Sequence, residues 1–342
     1  MSFKRLTPSD FLVSADSVTA PCWTNNVYDL TTFFTSSTQE NSSQGDYVLA
    51  VYQVASSNAS AAIQFYIGYA NALGSGSYPY DTTIPQYTPS STLYGQWRNL
   101  ILEDENANFV FGNVTQSQFH VISVERANYK QSLLPGSLNL KLWGPGTARL
   151  SLTDNSNMIS TVPYINGTRV YQIISGSNGT ANTSLQANGY TETSGSYGWF
   201  IPDMGAILLN TVALEQPVNK GGLGLTTVSD ASSVVNGLNN QALYDIIKSG
   251  SSFTLNSQEN ITADYVYIRP QNAEFNYTTN PSFISGSTGE VLYSQFINNP
   301  QTYITTVGLY NDANELLAVA KLSRPLVKDI TKEALIRVKL DF

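Results

Sequence analysis

A single cysteine, Cys22, and a single histidine, His120, leave this chain of 342 residues little for metal or redox chemistry. One thiol cannot form an intrachain disulfide, and one ligand of each kind cannot complete a zinc site. Charge is scarce as well. Asp, Glu, Lys and Arg make up 12% of residues, about half of the ~25% found in an average soluble domain. Only 17 Lys and Arg stand against 25 Asp and Glu, for a net charge of −8, and no basic block interrupts the chain. Phosphate recognition needs clustered cations, so no nucleic-acid partner is expected. The short set Lys328, Lys332, Arg337 and Lys339 alternates with apolar residues and reads as a solvated strand face. No apolar run is long enough to span a bilayer, so no membrane partner is expected. The start, Met1-Ser2-Phe3-Lys4-Arg5-Leu6-Thr7-Pro8, has no apolar core of a secretion signal, which predicts a protein made and kept in a cytoplasm.

The main catalytic signatures are also missing. There is no Gly-x-x-x-x-Gly-Lys-Ser/Thr and no Gly-x-Ser-x-Gly, hence no phosphate loop and no nucleophile elbow. His120 alone is left as the base of a triad, and its apolar-alternating strand favours a structural role. Cys22, in Ala20-Pro21-Cys22-Trp23, reads as a packed thiol. The densest acidic cluster, Glu103-Asp104-Glu105, reads as a solvated turn, with a calcium or acid site as its functional alternative. Gly221-Gly222-Leu223-Gly224 after Lys220 lacks the strand–turn–helix setting of a nucleotide loop and reads as a turn. No cofactor is implied, and the chain is expected not to be an enzyme. The eight Asn-x-Ser/Thr triplets are explained by a composition rich in Asn, Ser and Thr.

What is present is the material of β-sheets. Hydrophobic residues make up 42% of the chain, enough for ordinary cores. Runs such as 47–54, 63–69, 119–126, 138–142, 263–269 and 290–296 are β-branched and aromatic, and Ser/Asn/Gly/Pro turns separate them. Asn311-Asp312-Ala313-Asn314 predicts a hairpin between 303–310 and 315–322. The last strand alternates Ala334, Ile336, Val338, Leu340 and Phe342 against Arg337, Lys339 and Asp341. A short helix is expected over 93–102 with Trp97, Leu100 and Ile101 inward. The one substantial helix, near 232–248, has Val235, Leu238, Ala242 and Ile246 at spacings of three and four, with Gly250 as its stop. The predicted class is mainly β, in sandwich-like antiparallel sheets, with that single substantial helix. Three regions are expected: a β-rich domain over 1–145, a Ser/Thr/Asn/Gly-rich insertion or subdomain over 146–215, and a helix-plus-β domain over 216–342.

Tyr is frequent at 21 residues. On a surface with few charges, tyrosines anchor protein interfaces or stack on sugar rings. Tyr78, Tyr80 and Tyr87, in the Gly/Ser/Pro-rich stretch 74–90, are the candidate interface residues, and 150–200 is expected at subunit contacts too.

The segments 274–283 and 303–312, continuing through Glu315-Leu316-Leu317-Ala318-Val319-Ala320-Lys321-Leu322-Ser323-Arg324-Pro325 to Phe342, resemble virion structural proteins of large contractile-tailed phages, marine and cyanobacterial ones especially. Residues 94–100 and 123–130 look like the same group. Arg-Pro, then Asp-x-Thr-x-Glu, then a final strand ending in Phe is similar to the end of a baseplate wedge protein that is mostly β and dimeric. The resemblance covers about 100 C-terminal residues. It implies a non-enzymatic tail baseplate component of the virion, homo-oligomeric or multi-copy, assembled in the host cytoplasm with other phage structural proteins. The alternatives are a carbohydrate-binding or depolymerising tail appendage and a head decoration protein.

Overall fold

The computed structural model describes residues 3–35, 48–72, 89–182, 189–227, 233–278 and 280–341. Tyr78, Tyr80, Tyr87 and Phe342 lie outside them. In chain order the strands are β1 (Phe11–Pro21), β2 (Asp29–Leu30), β3 (Val48–Tyr52), β4 (Ile63–Asn71), β5 (Phe109–Phe111), β6 (Val114–Gln116) and β7 (Gln118–Val124). They continue as β8 (Ser132–Leu133), β9 (Asn139–Trp143), β10 (Arg149–Asp154), β11 (Tyr164–Ile165), β12 (Thr168–Arg169), β13 (Tyr171–Ser177) and β14 (Thr180–Ala181). The last are β15 (Gly198–Ile201), β16 (Ala206–Asn210), β17 (Phe253–Thr254), β18 (Asn256–Ile268), β19 (Gln301–Tyr310), β20 (Leu316–Asp329) and β21 (Ile336–Asp341). The helices are α1 (Pro89–Leu102), α2 (Thr211–Glu215), α3 (Ser233–Gly250) and α4 (Ser294–Asn298). The class is mainly β, as the composition predicts, and its chief element is a large curled antiparallel sheet. Contacts divide the chain into two units, one of Met1–Ser17 with Asn260–Phe342, the other of Val18–Glu259. The boundaries expected at 145/146 and 215/216 both fall inside the second unit.

The Val18–Glu259 unit is built on eleven strands in the order β2-β17-β9-β10-β13-β15-β16-β7-β4-β3, with β14 hydrogen-bonded to β13. Both faces of its middle are covered, so β15 and β16 are buried at every position and read as nearly continuous apolar runs instead of alternating ones. On β7, Ile122 and Val124 enter one core with Phe65, Ile67, Leu140, Leu152, Phe200 and Leu209. Phe119 and Val121 enter the opposite one with Tyr94, Ile101, Phe109 and Trp199. Aromatic edges meet in that second core, Phe109 lying 4.5 Å from Phe119 and 5.5 Å from Trp199 between ring centroids. Each such buried side chain contributes roughly 1.5–3 kcal/mol. The Ser/Thr-rich stretch 146–215 supplies β10, β13, β15 and β16 to this sheet. Its buried residues are concentrated in these strands, whereas 155–169 are exposed or half-buried throughout.

The two main helices each depart from their expected faces at one leucine. In α1, Ile101 is buried and Trp97 half-buried, but Leu100 is exposed, because the buried face runs through Leu93, Tyr94 and Ile101. In α3, Ile246 is buried and Ala242 packs on the core as expected, beside Leu243 and Ile247, but Leu238 is 58% exposed while Asn239, Asn240 and Tyr244 are buried, and the side chain of Val235 lies outside the described residues. The packed stripe includes two asparagines, which a purely hydrophobic pattern passes over. Gly250 is not the left-handed stop: Ser251, at φ 52°, takes that conformation. A Cβ on Gly250 would instead lie 1.8 Å from the Lys141 carbonyl oxygen of β9, so glycine is required for the helix end to approach the sheet.

In the unit of Met1–Ser17 and Asn260–Phe342, β18 pairs with β21 from Ala263↔Asp341 to Ile268↔Ile336. The final strand alternates as predicted, with Ile336 and Val338 buried and Arg337 and Lys339 exposed. β19 and β20 form the hairpin expected around 311–314, but as a separate two-stranded ribbon. Its inner face, with Ile304, Val307, Leu309, Ala320, Leu322 and Leu326, packs on Val266, Ile268, Ile336 and Val338. Two expectations fail here. Stretch 290–296 is not a strand: α4 begins within it, and the spacing of Tyr293 and Phe296 brings both rings onto Phe283, at 5.8 and 5.1 Å. Lys328 is not on a solvated face. It is wholly buried, and its Nζ donates to the Asn272 carbonyl (3.0 Å), Asn276 Oδ1 (2.7 Å) and the Asp329 carbonyl (2.9 Å). An ammonium has three donors, and all three are used.

Replacing Lys328 with Met keeps the stem but leaves these oxygens without a donor. The variant should be less stable by about 3 kcal/mol, since a stranded buried partner costs its full desolvation. Urea unfolding followed by circular dichroism checks this, and an unchanged midpoint would show that the cage is incidental.

Candidate functional site

The residues singled out from the sequence for their chemistry are, where described, either sealed or solvated. His120, on β7, is fully buried between α2 and α3. Its Nε2 donates to the Asn239 carbonyl (3.1 Å), a group that only accepts, so Nδ1 accepts from the Thr211 hydroxyl at 2.9 Å. A hydroxyl on an imidazole is the opening half of a nucleophile–base pair, yet Thr211 and Asn239 are buried too. The arrangement ties strand to helices. Burial pulls the imidazole down to about 4, opposed by the bond to Asn239. Cys22 is likewise enclosed, and burial pushes its thiol up to about 12, far from thiolate reactivity at neutral pH.

The acidic cluster is a turn. Glu103 closes α1 at φ 54°, Asp104 Oδ1 accepts the Asn106 amide at 2.8 Å, and all three acids are exposed. Among the described residues no three His, Cys, Asp or Glu side chains come together as a metal site. The glycine run is a turn as well. The amides of Gly221, Gly222, Leu223 and Gly224 bond to the carbonyls of Val218, Pro217, Leu214 and Gln216, which leaves no nest of free N–H groups for a phosphate.

One open depression of about 560 Å³ lies where the β10–β13 ladder ends at Leu152↔Ser175. Arg149, Ser151, Ser177, Thr180, Asn182 and Gly221 are among its lining. At its rim the Arg149 guanidinium sits 4.3 Å from the centre of the Trp143 ring and donates to the Ala148 carbonyl at 2.8 Å.

The stronger candidate is a surface. The unit of Met1–Ser17 and Asn260–Phe342 has fewer than a third of the residues but more than half of the large apolar side chains exposed among the described ones. The ribbon concentrates them. Outward from β20 stand Leu317 (68% exposed) and Val319, with Gly308 opposite Val319 and Thr306 opposite Lys321. The Tyr310 ring lies over Gly308, where a Cβ would come within 2.9 Å of it, and Phe3 meets the same ring edge-on at 5.3 Å. Tyr303 on β19, and Tyr277, Leu292, Tyr293 and Ile297 on the preceding segment, are exposed too. Exposed apolar side chains gathered in this way mark contact surfaces.

Tyr78, Tyr80 and Tyr87, the interface residues read from sequence, lie outside the described residues. The ribbon face was missed, although its signal is there. Leu316 to Ala320 is apolar at five successive positions, and a strand apolar on both alternations needs covering on both faces. Searched against family models, curated proteins and solved structures, the chain matches none.

The His120 environment predicts a pH response. Its folded pKa lies below the unfolded value of 6.5. From pH 6.5 down to about 4 the unfolded chain therefore takes up a proton that the folded chain refuses. The contribution is complete above pH 6.5 and falls by on the order of 3 kcal/mol by pH 4. His120→Gln should flatten this part of the stability–pH curve in urea titrations; an unaltered slope would assign it to other groups.

Proposed function

We propose that this chain is a structural component of a phage virion, a tail baseplate wedge protein that holds neighbouring subunits together. The observation that carries the reading is the ribbon of β19 and β20, apolar on its inner face and again on its outer one. A folded chain covers one face of such a ribbon itself, and a neighbouring subunit is the natural cover for the other. The composition supports this. A surface built from Ser, Thr, Asn, Gln and Tyr desolvates few charges on assembly, so the contacts it makes are little weakened by salt. The resemblance of 274–342 to virion proteins of contractile-tailed phages supports it independently, because the ribbon falls inside that segment.

A second reading, a carbohydrate-binding tail appendage, draws on the depression at the end of the β10–β13 ladder. Its lining of hydroxyls, an amide, a guanidinium and glycine backbone is chemistry that suits a neutral saccharide. The ribbon favours the first reading, since sugar binding gives no reason for its outer face.

Leu317→Ser combined with Val319→Ser should leave the isolated protein folded and impair its incorporation into particles, by at least about tenfold, since each anchor is worth roughly 1.5 kcal/mol or more. Particles assembled in cells that supply the variant, with the chain quantified in purified virions, give the readout. Normal incorporation of the double variant, or a particle reconstruction without this chain, would overturn the proposal.

A further inference from the structure

The ribbon has two edges, and they differ. A strand edge without a partner is a row of free backbone donors and acceptors, and natural proteins guard such edges with charge, proline or a bulge. The β20 edge has all three. Lys321 and Arg324 are exposed along it, Pro325 removes a donor, and Leu322–Pro325 bulge out, four residues facing the single Thr305 between the pairs Ile304↔Leu326 and Thr306↔Lys321. The β19 edge has none. Gln301-Thr302-Tyr303-Ile304-Thr305-Thr306-Val307-Gly308-Leu309-Tyr310 contains no charge and no proline, and among the described residues β19 pairs with β20 alone. An unguarded edge of ten residues beside a guarded one is what a docking strand looks like.

We infer that the free edge of β19 pairs, antiparallel, with the same edge of a second copy of this chain, and that the two ribbons join into one four-stranded sheet. This rests on the structural reading above and names the first partner of its surface. Charge points to a second copy. The unit that carries the ribbon has nine Lys and Arg against ten Asp and Glu, so it holds −1 of the total of −8 and leaves −7 to the Val18–Glu259 unit. Two copies meeting through β19 bring together the nearly neutral parts of two acidic chains. The geometry also closes. Identical strands paired antiparallel are related by a twofold axis, so each copy uses the open edge of its ribbon, while the guarded β20 edges face outward and stop the ribbon sheet at four strands. The outer ribbon faces with Leu317 and Val319 then run on from copy to copy and remain available to other subunits.

The test uses the full chain and its lack of a reactive thiol, since Cys22 is sealed. Single cysteines are placed at Tyr303, Thr305, Thr306 and Gly308, and the unsubstituted protein serves as control under mild oxidation. In an antiparallel self-pair only the position at the twofold axis faces its own copy, so cross-linked dimer should peak at one position and fall away on either side. Thr305→Lys with Thr306→Lys, both exposed positions, should leave circular dichroism unchanged and weaken the dimer at least about tenfold in sedimentation equilibrium, because like charges oppose each other across the pair. Mixing this variant with Thr305→Glu, Thr306→Glu should restore a heterodimer. Monomer at all concentrations, cross-linking at no position, or dimers indifferent to the lysines would overturn the inference. A monomer still incorporated into particles would leave the virion role standing, whereas a cross-linked dimer absent from particles would remove that role and leave the edge pairing intact.

Discussion

Pairing of the strand backbone is the constraint on which the rest depends. Every backbone amide and carbonyl taken out of water needs a partner, and along the sheets strand pairing supplies it. The eleven-stranded sheet meets this demand through its middle, where each strand has two partners and helices or a hairpin close both faces. The ribbon does not meet it. Two strands leave two edges, and an isolated pair of strands is marginal in water unless it packs on something. Ile304, Val307, Leu309 and Leu322 supply that packing on one side only.

Several polar groups inside the protein share a pattern, in that they are bonded to uncharged atoms. His120 is held neutral between a hydroxyl and a carbonyl. Lys328 keeps its donors occupied with amide and carbonyl oxygens. Trp23 Nε1 donates to the Phe253 carbonyl at 2.6 Å, and Asn210 Nδ2 to the carbonyls of Ser194 and Ser196. Such bonds fix loops and helices to strands without requiring a second charge to be desolvated. The exposed ion pairs add little, as surface pairs generally do.

Much of this was legible in the sequence because period and composition are local. The hairpin at 311–314, the alternation of the last strand, the packed thiol and the glycine turn at 221–224 all follow from neighbours a few residues apart. What was not legible depends on partners far away in the chain. Leu238 looks like core and is exposed, since α3 turns Asn239 and Asn240 inward and the Asn239 carbonyl serves His120, 119 residues away. Lys328 looks like surface and is buried, since two of its three acceptors come from a loop more than fifty residues earlier. The Ser/Thr-rich stretch 146–215 resembles an insertion by composition, yet its β10, β13, β15 and β16 complete a sheet whose other strands come from both sides of it in the chain. The ribbon's outer face lay in plain view as five apolar residues in a row, but an unbroken run does not say which face the fold itself will cover.

The cage around Lys328 has a further consequence for endurance. An ion pair such as Lys4–Glu274, closed at 2.7 Å, lasts only while its carboxylate stays ionised, and the bond to Lys4 holds that carboxyl below its ordinary range before acid finally reaches it. Amide and peptide oxygens have no such acid limit, and no dissolved counter-ion reaches a fully enclosed ammonium to compete for them. The loop at 272–276 is therefore fastened to β20 by a contact that neither protonation of a carboxylate nor a dissolved counter-ion can open.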